Sequence, residues 1–284
     1  GGDVNRETLT VIRTKDGKNF YRDGDDCYRM YRFVEDSVSY DFVENPVQLY
    51  YAAKAFGKFQ KMLNDFPADK LHETIVDFHN TPERVNQLKT AIANNTAGRL
   101  ESVKDEVDFA LDYAKYADKI TSAMADGTVP LRVTHNDTKL NNVLFDKDSG
   151  EGVCVIDLDT VMPGSLLYDF GDALRFGASS GAEDEVDLDK IWFDLEKFEQ
   201  FAKGFLEEMS DCTEKEIELL PMSVLIMTYE CGTRCLADHL NGDTYFKIHR
   251  EGHNLDRART QFKLVADIES KFDKMNEIVR KYAK

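Results

Sequence analysis

The chain has 284 residues, of which 42% are hydrophobic and 31% charged, a composition typical of a globular protein with a substantial core. Its 53 acidic and 36 basic side chains give a net charge of -17, which repels phosphate backbones and anionic lipid. We therefore expect neither nucleic acid nor a membrane as a partner. No apolar run approaches the length that spans a bilayer, and the first residues lack the regions of a signal peptide.

The cysteines are few and irregularly spaced: Cys27, Cys154, Cys212, Cys231 and Cys235. An odd, scattered set opposes a disulfide framework and favours a reducing compartment, so we expect a cytoplasmic protein. Cys231 and Cys235 are four residues apart on a predicted helix. Because no second Cys or His pair has the spacing of a metal site, they are interpreted as buried small side chains.

The first predicted elements are two short antiparallel strands, over residues 8–14 and 26–34, where apolar side chains alternate or cluster around turn residues. The hydrophobic period then changes to that of a helix. Asn45 and Pro46 predict the start of this helix, because Asn is a favoured capping residue and Pro is favoured at the first helical position. Gln48, three residues after Asn45, completes the signature of a capping box.

Helical patterning continues to about residue 125. Thr81-Pro82 starts one helix, and an apolar stripe predicts another over residues 98–125. The segment 213–216 is a further capping box. The remaining predicted strands cover residues 131–134, 142–145 and 152–158, and the remaining predicted helices cover about 167–178, 194–209, 214–240 and 254–282. This order predicts an α+β fold dominated by helix, with a solvated acidic loop at 181–190.

The segment from His135 to Asn142 carries the candidate chemistry. Asp137 lies in a polar loop between two predicted strands, Asn142 begins the next strand, and a hairpin returns the chain to Asp157. The loop and the returning strand can place these three side chains around one point. Mg²⁺ prefers oxygen ligands, which Asn142 and Asp157 supply, whereas Asp137 can orient a substrate hydroxyl and accept its proton. The set indicates phosphoryl transfer, and His135 is interpreted as a hydrogen-bonded structural residue.

The joint pattern is His-x-Asp, with Asn five residues after that Asp and a further Asp in the returning strand. It resembles the catalytic loop and metal-binding strand of the aminoglycoside phosphotransferase and choline kinase superfamily. The resemblance implies a bilobal, protein-kinase-like fold with ATP as phosphate donor. It also implies that Asp137 is the catalytic base and that Asn142 and Asp157 are the Mg²⁺ ligands.

Three further segments are similar to N-acetylhexosamine 1-kinases, and the likeness runs from about residue 8 to the end of the chain. They are Val155-Ile156-Asp157-Leu158-Asp159-Thr160-Val161-Met162-Pro163-Gly164, Tyr168-Asp169-Phe170-Gly171-Asp172-Ala173-Leu174-Arg175-Phe176-Gly177, and the stretch from Gly232-Thr233-Arg234 to His253-Asn254-Leu255. The resemblance implies a sugar as the acceptor substrate. The residues implied to contact it are Asp137, Asp159, Thr160, Arg234 and Tyr245.

Three of the charged residues in these segments also have structural interpretations. Arg234 lies on a largely apolar predicted helix, where a cation needs a partner, and Asp238 four residues later is a candidate. A structural role for Arg234 therefore stays open beside its role in sugar binding. Asp169 and Asp172 are expected to be structural, Asp169 as the cap of the helix that follows.

The first 35 residues are expected to be an incomplete small β lobe, and residues 36–284 the mostly helical large lobe. Residues 8–34 resemble only the last strands of a kinase small lobe, and no Gly-rich loop followed by a Val-x-x-Lys-type strand occurs. By that resemblance residues 30–35 form the hinge between the lobes, and the backbone of Arg32, Phe33 and Val34 meets the adenine. Without the lysine and loop amides that offset triphosphate charge, this chain alone is expected to bind ATP poorly and to turn over slowly or not at all.

Three functions are compatible with these residues. The leading hypothesis is a sugar 1-kinase, which transfers the γ-phosphoryl group of ATP to the anomeric hydroxyl of an N-acetylhexosamine. The second is a kinase for an aminoglycoside, choline or another amino alcohol, which the acidic composition favours and Arg234 opposes through repulsion of a cation. The third is a non-catalytic kinase-like binding module, which the intact Asp137, Asn142 and Asp157 oppose.

Overall fold

Helices dominate the computed structural model, which describes residues 2–283. The α-helices in this range are α1 (Val4–Glu7), α2 (Pro46–Met62), α3 (Thr81–Asn94), α4 (Lys104–Tyr113), α5 (Lys119–Ala125), α6 (Leu166–Gly177), α7 (Leu195–Glu208), α8 (Glu214–Asn241), α9 (His253–Ser270) and α10 (Phe272–Tyr282). The strands are β1 (Tyr21–Asp23), β2 (Asp26–Tyr28), β3 (Ser37–Val38), β4 (Arg132–Thr134), β5 (Val143–Asp146), β6 (Gly152–Val155) and β7 (Met162–Gly164). The prediction of an α+β fold with mostly helical content is confirmed. Within the described chain no helix has both the length and the apolar character needed to cross a membrane.

Helix α2 begins where its capping signals predict. The Asn45 side chain accepts a hydrogen bond from the Val47 amide at 3.0 Å, and Gln48 Oε1 accepts one from the Asn45 amide at 3.1 Å. This reciprocal pair satisfies amides that have no partner inside the helix. The helix then packs along α7. Its Phe56 ring contacts the ring of His135, with centroids 5.7 Å apart. His135 is the first residue of the predicted catalytic loop, residues 135–142, which is called the catalytic loop below. The capping residues thus set the start of a helix that packs against the candidate site.

Helix α8 is the central element of the large lobe and packs against α3, α6 and α9. Its start carries the second predicted capping box, in which Thr213 Oγ1 accepts from the Glu216 amide and Glu216 Oε2 accepts from the Thr213 amide. Most of its side chains are buried. The hydroxyl of Tyr229, which is fully buried, donates to the Ala110 carbonyl at 2.7 Å, so α8 is also tied to α4.

Two small antiparallel sheets position the catalytic loop. One has the order β3-β5-β6, in which Val143 is opposite Val155 and a bulge follows Leu144. The other pairs β4 with β7, with Thr134 opposite Met162. The loop between β4 and β5 and the return between β6 and β7 are therefore anchored at both ends, which brings residues 135–142 and 156–161 together. The sequence analysis did not predict β7.

The predicted helix over residues 98–125 is wrong as a single element. It is divided into a 3-10 turn at Leu100–Ser102, α4, a second 3-10 turn at Ala114–Tyr116, and α5. The hydroxyl groups of Tyr113 and Tyr116 both donate to the Glu269 carboxylate of α9. Side chains three residues apart are nearly eclipsed in 3-10 geometry, so the tighter turn lets both tyrosines reach one acceptor. A tertiary contact overrides the helical period.

Three other predicted elements differ from the structure. The helix predicted over 254–282 is split at Lys271, whose ammonium group donates to the Phe193 carbonyl at 2.7 Å. The strand predicted over 8–14 is reduced to one bridge between Val11 and Tyr31, and the strand predicted over 26–34 is confined to β2. The β1-β2 hairpin is exposed along its whole length, so it has no apolar layer to extend it.

The acidic loop at 181–190 is not solvated throughout, because Glu183, whose side chain is 25% exposed, turns toward two arginines. Its carboxylate lies 2.6 Å from Arg175 Nη1 and 2.9 Å from Arg257 Nη2. The Cys231 thiol lies 3.4 Å from the same carboxylate. All five cysteines are free, and Cys235 is buried as predicted. The loop is therefore fastened to α6, α8 and α9 by one carboxylate between two arginines.

The pKa of Glu183 follows from this position. Burial raises the pKa of the carboxyl, but the two arginines outweigh burial and lower it from 4.5 to about 2. A folded-state pKa below the unfolded value means that ionised Glu183 stabilises the fold above about pH 4.5, and that this contribution is lost as the pH falls toward about 2.

We expect Glu183→Gln to lower the free energy of unfolding at neutral pH by up to about 3 kcal/mol, because the variant lacks the charge that both arginines face. The difference between parent and variant should shrink as the pH falls through about 4.5. Urea unfolding followed by circular dichroism at several pH values measures this. Glu251→Gln, at an exposed carboxylate, is the control. A difference that stays constant with pH would contradict the assignment.

Candidate active site

A buried aspartate of α6 holds the backbone of the catalytic loop. Asp169 accepts hydrogen bonds from the amide of His135 at 2.9 Å and from the amide of Asn136 at 2.7 Å. The side-chain amide of Gln60 in α2 donates to the same carboxylate. Burial raises the pKa of Asp169, and these donors together with His135 oppose that shift. Three donors on one carboxylate fix the loop just before Asp137.

The prediction that Asp169 caps the following helix is wrong. The cap of α6 is Ser165, whose hydroxyl accepts from the Leu167 amide at 3.2 Å. Asp169 lies one turn inside the helix and points at the catalytic loop instead. The expectation that it is structural still describes its contacts, since its partners are backbone amides and Gln60. The capping role was assigned from local spacing, whereas the actual partners lie more than thirty residues earlier in the chain.

The catalytic loop is also tied to the return segment after β6. Asn136 has a left-handed backbone with φ 64°, and its side-chain amide donates to the Thr160 carbonyl at 2.9 Å. The Thr160 hydroxyl donates back to the His135 carbonyl at 2.7 Å. His135 Nε2 lies 2.9 Å from the Ile156 carbonyl, in keeping with the structural role predicted for this histidine. Thr160, predicted to contact a sugar, thus has its proton committed to the loop.

Asp137 and Asn142 lie side by side. The Asn142 side-chain amide donates to the Asp137 carbonyl at 2.7 Å and to its Oδ2 at 3.1 Å. Lys139 Nζ lies 2.7 Å from the other carboxylate oxygen, Oδ1. Both oxygens are therefore oriented, and the Asp137 side chain remains 22% exposed, so a substrate can reach it. The sequence analysis missed Lys139, although its position two residues after Asp137 was a usable signal.

Asp157 lies two residues after the end of β6, the strand that pairs with β5 directly after Asn142. The Ile156 amide donates to the Asn142 carbonyl at 2.9 Å, which places the next residue beside the catalytic loop. Asp157 is exposed and has a left-handed backbone, with φ 59°. Left-handed conformations are sparsely populated outside Gly, Asn and Asp, and they often occur at functional sites. Within residues 2–283 its carboxylate has neither a hydrogen bond nor an ion pair.

The oxygens of Asn142 and Asp157 suit a hard cation. The Asn142 side chain uses its nitrogen for both bonds to Asp137, so its Oδ1 has no partner within the described chain. One amide oxygen and one free carboxylate fit Mg²⁺, which takes one or two protein ligands and completes its shell with water and phosphate oxygens. No group of three or more His, Cys, Asp or Glu side chains among residues 2–283 is arranged for a metal. Asn142 Oδ1 and the Asp157 carboxylate are therefore compatible with a cation that completes its shell with other ligands.

The remaining predicted sugar contacts lie in two places. Asp159 is exposed and forms an ion pair with Arg29, which the sequence analysis did not single out. Arg234 and Tyr245 lie together, with the guanidinium carbon 5.8 Å from the Tyr245 ring centroid. The same guanidinium lies 5.6 Å from the ring of Phe78 and 5.4 Å from the ring of Phe246. Aromatic faces attract a cation, so three rings hold Arg234 in place.

The predicted pairing of Arg234 with Asp238 is wrong. Asp238 accepts hydrogen bonds from the amides of Thr244, Tyr245 and Phe246 at 2.9 to 3.0 Å. It therefore shapes the loop that carries two of the rings around Arg234. Across residues 2–283 no carboxylate lies within ion-pair distance of Arg234. The charge is supported by rings rather than neutralised, which leaves it available to a ligand.

Arg234 and Tyr245 line one cavity of about 240 Å³, and a separate cavity of about 240 Å³ lies beside the catalytic loop. Its walls include Glu73, Asp77, Phe78, His79, Asn136, Met162, Gly164 and Tyr168. Asn136, which directly precedes Asp137, is on the wall of this cavity. Phe78 is on the same wall, and its ring contacts the Arg234 guanidinium. His79 Nδ1 lies 3.0 Å from Glu230 Oε1, and the Thr81 hydroxyl donates to Glu230 Oε2 at 2.6 Å. Burial raises the pKa of Glu230, but these bonds and Arg234 lower it below its ordinary value.

The predicted adenine-binding backbone is partly engaged. The Arg32 amide donates to the Thr10 carbonyl at 2.9 Å, so it is not free for a base. The amides of Phe33 and Val34 donate to no group in the described part of the chain. The Phe33 side chain is 79% exposed and the Val34 side chain is buried. Two of the three predicted amides therefore remain available.

Known proteins share the family and the fold of this chain. The family model described as "Phosphotransferase enzyme family" matches residues 10–201. An aminoglycoside phosphotransferase from Alicyclobacillus acidocaldarius is similar over 97% of this chain and 78% of that one, with 13% identity and a TM-score of 0.62.

Two further solved structures share the fold. A microcompartment-associated aminopropanol kinase is similar over 95% of this chain and 77% of that one, with 14% identity and a TM-score of 0.54. A spectinomycin phosphotransferase, solved with ADP and spectinomycin, is similar over 97% and 77%, with 16% identity and a TM-score of 0.52. At such low sequence identity the structural similarity shows the fold alone. It confirms the predicted protein-kinase-like architecture. On the family match, which covers most of its length, the chain belongs to the phosphotransferase enzyme family.

Proposed function

We propose that this phosphotransferase transfers the γ-phosphoryl group of ATP to the anomeric hydroxyl of an N-acetylhexosamine. The observation that carries the choice of acceptor is Arg234, a cation held by three aromatic rings with no carboxylate partner in residues 2–283. A fixed guanidinium repels a cationic amino alcohol and donates well to the hydroxyl and carbonyl oxygens of a neutral acylated sugar. Tyr245 beside it offers a ring face for the sugar.

Asp137 is the group that we assign to the proton of the acceptor hydroxyl. Its carboxylate is held by Asn142 on one oxygen and by Lys139 on the other. It can align the hydroxyl for in-line attack on the γ-phosphorus and accept the proton as the new O–P bond forms. The Lys139 ammonium, 42% exposed, adds positive charge where phosphoryl oxygens would approach.

ATP and Mg²⁺ are the proposed cofactors. The neighbouring spectinomycin phosphotransferase was solved with ADP, which supports an adenine nucleotide here. Mg²⁺, when bound with the nucleotide, neutralises charge on the β- and γ-phosphates. Asn142 Oδ1 and the Asp157 carboxylate would hold it, and the amides of Phe33 and Val34 would meet the adenine. We also propose that residues 1–35 are a remnant of the small-lobe strands together with the hinge, and that residues 36–284 are the large lobe.

An amino alcohol is the second candidate acceptor. Glu73 and Asp77 line the cavity beside the catalytic loop, and carboxylates attract an ammonium group. Long incubations with ATP, Mg²⁺ and either N-acetylglucosamine, N-acetylgalactosamine or choline, read by ³¹P NMR, separate the two candidates. We expect an anomeric sugar phosphate and ADP. Phosphocholine without a sugar phosphate would overturn the proposed acceptor, and absence of transfer to any of the three would overturn the proposed activity.

We expect Asp157→Asn to raise the Mg²⁺ concentration for half-maximal activity by about 10- to 100-fold, because the variant loses the one ionised ligand proposed for the metal. Titration of Mg²⁺ at fixed ATP measures this, with ATP-dependent thermal shift as a second readout. Asp159→Asn, two residues further along the chain, is the matched control and should leave the Mg²⁺ midpoint unchanged. Equal midpoints for parent and Asp157→Asn would remove Asp157 from the metal site.

A further inference from the structure

Two arginines of this chain lack the carboxylate partner that comparable arginines have. Among residues 2–283, six other arginines that are at least partly buried each form an ion pair with a carboxylate: Arg6, Arg99, Arg132, Arg175, Arg257 and Arg259. Arg84 and Arg234 are also partly buried, yet no carboxylate in the described chain lies within ion-pair distance of either. With 53 acidic side chains against 36 basic ones, the chain has no shortage of carboxylates. Two partly buried cations without a counter-charge call for an explanation.

Both arginines line the same cavity, which has a volume of about 240 Å³. They meet at Phe78, where Arg84 Nη2 donates to the backbone carbonyl at 2.9 Å and the Arg234 guanidinium carbon lies 5.6 Å from the ring. This cavity is separate from the one beside the catalytic loop, and none of the described residues on its walls belongs to that loop. The two cations therefore line one space that is distinct from the place proposed for the nucleotide phosphates.

Both guanidinium groups have N–H donors that a ligand can reach. The nitrogens of Arg234 donate no hydrogen bond within residues 2–283, and all three are accessible to solvent. Arg84 Nε is shielded, and Nη2 donates to the carbonyls of Asp77 and Phe78. Arg84 Nη1, however, lies at the surface and donates to Gln87 Oε1 at 3.1 Å, which leaves its second hydrogen free.

The two positive charges are close enough to disfavour each other. Burial lowers the pKa of Arg84, and the Arg234 charge lowers it further, against an opposing effect of Glu230. The Glu230 side chain is only 2% exposed, and it accepts from Thr81 and contacts His79. An anion between the guanidinium groups would reduce their repulsion, because it attracts both.

One carboxylate is on the wall of this cavity, but its oxygens are already engaged. Asp238 Oδ1 accepts from the amides of Thr244 and Tyr245, and Oδ2 accepts from the Phe246 amide and the Asn254 side chain. Four donors offset its negative charge locally. The groups of the cavity that remain open to a ligand are therefore mainly those of the two arginines.

We propose that the cavity between Arg84 and Arg234 binds a phosphate group, either free phosphate or the phosphate of a small organic molecule. A phosphate monoester carries about -1.5 to -2 charges at pH 7, which matches two guanidinium groups, and arginine N–H groups suit phosphate oxygens. The inference goes beyond the proposed function and does not depend on it, because the bound phosphate is neither the transferred group nor part of the nucleotide.

The test is the binding of inorganic phosphate, measured by calorimetry and thermal shift at constant ionic strength set with sodium chloride. We expect Arg84→Gln and Arg234→Gln each to weaken phosphate binding at least about tenfold, and Arg84→Lys, which keeps the charge but loses the planar fork, to be intermediate. Arg234 makes no hydrogen bond in the described chain, so its variant tests binding without loss of a backbone contact. Lys89→Gln, which removes an exposed cation from the same helix as Arg84, is the control and should match the parent.

A second titration, with N-acetylglucosamine 6-phosphate, distinguishes the two sources of the phosphate. Binding that depends on Arg84 and is at least about tenfold tighter than that of inorganic phosphate would identify an organic phosphate, whereas equal affinities would identify the free anion. The inference is overturned if neither ligand stabilises the parent more than chloride does, or if Arg84→Gln and Arg234→Gln both bind phosphate as the parent does. Because the measurement reads binding without phosphoryl transfer, either result leaves the proposed function to its own test.

Discussion

Asp137→Asn is expected to lower kcat by about 10²- to 10⁴-fold while Mg-ATP and sugar binding change little. The amide cannot accept the proton of the attacking hydroxyl, but it has nearly the same shape as the carboxylate. Its oxygen can still accept from Asn142, and Asp169 still holds the backbone of the preceding residues. Because the loss concerns chemistry rather than binding, it should appear in kcat and leave both KM values close to those of the parent.

The measurement is the rate of ADP and sugar phosphate formation at saturating substrates, with thermal shift as the test of binding. Asp148→Asn, at an exposed position in the β5-β6 turn, is the matched control and should keep the parent rate. A kcat for Asp137→Asn within about twofold of the parent would show that another group takes the proton. A large rise in KM without a fall in kcat would make Asp137 a binding residue instead.

The parts of the fold that could be predicted from the sequence depend on contacts between close neighbours in the chain. The capping boxes of α2 and α8 each involve residues three positions apart, and both form as predicted. The contact between Asp137 and Asn142 was predictable for a related reason, since both residues belong to one short loop. In these cases spacing in the chain nearly determines position in space.

The parts that could not be predicted depend on partners that are distant in the chain. Asp169 was assigned to a helix cap, but its donors are His135, Asn136 and Gln60. The break before α5 follows from Glu269, which lies in α9. Neither contact can be recognised from the local hydrophobic period of the sequence, because each uses ordinary polar residues whose partner is set by the packing of helices.

Arg234 shows how a local rule fails even when its premise is right. A cation on an apolar helix does need support, and an aspartate four residues later is a usual source. Here that aspartate is used by three amides of the 244–246 loop, and the support comes from rings instead. Because aromatic rings take the place of a carboxylate beside Arg234, its positive charge is not neutralised and can interact with a ligand.

The largest stability effect is expected at the ion pair beneath β4. Arg132 Nε lies 2.7 Å from Glu216 Oε1, and its Nη2 lies 2.8 Å from Oε2, in a two-bond arrangement that is almost fully buried. Arg132 also donates to the Asn64 side chain at 2.5 Å. The pair therefore links the strand that leads into the catalytic loop to the start of α8 and the end of α2.

Glu216→Ala should lower the free energy of unfolding by about 3 kcal/mol, because it leaves the buried Arg132 guanidinium with only the more exposed Asp211 carboxylate, 3.6 Å from Nη1, as counter-charge and also removes half of a capping box. Urea unfolding at neutral pH measures the loss. Glu218→Ala, two residues along the same helix, removes a carboxylate that is 66% exposed and pairs only with Lys215, and it should cost less than about 1 kcal/mol.

The double variant Arg132→Met/Glu216→Leu distinguishes the cost of leaving the Arg132 charge buried and unpaired from the loss of the attraction between the two side chains. Replacing a buried pair with apolar side chains of similar volume is often nearly neutral, whereas removing one partner strands the other. We therefore expect the double variant to be more stable than Glu216→Ala. If the double variant is instead the less stable of the two, Arg132 has a stabilising role beyond its charge. In Glu216→Ala, the bonds that Arg132 donates to Asn64 and to the Asp211 carbonyl would then keep β4 in place before the catalytic loop.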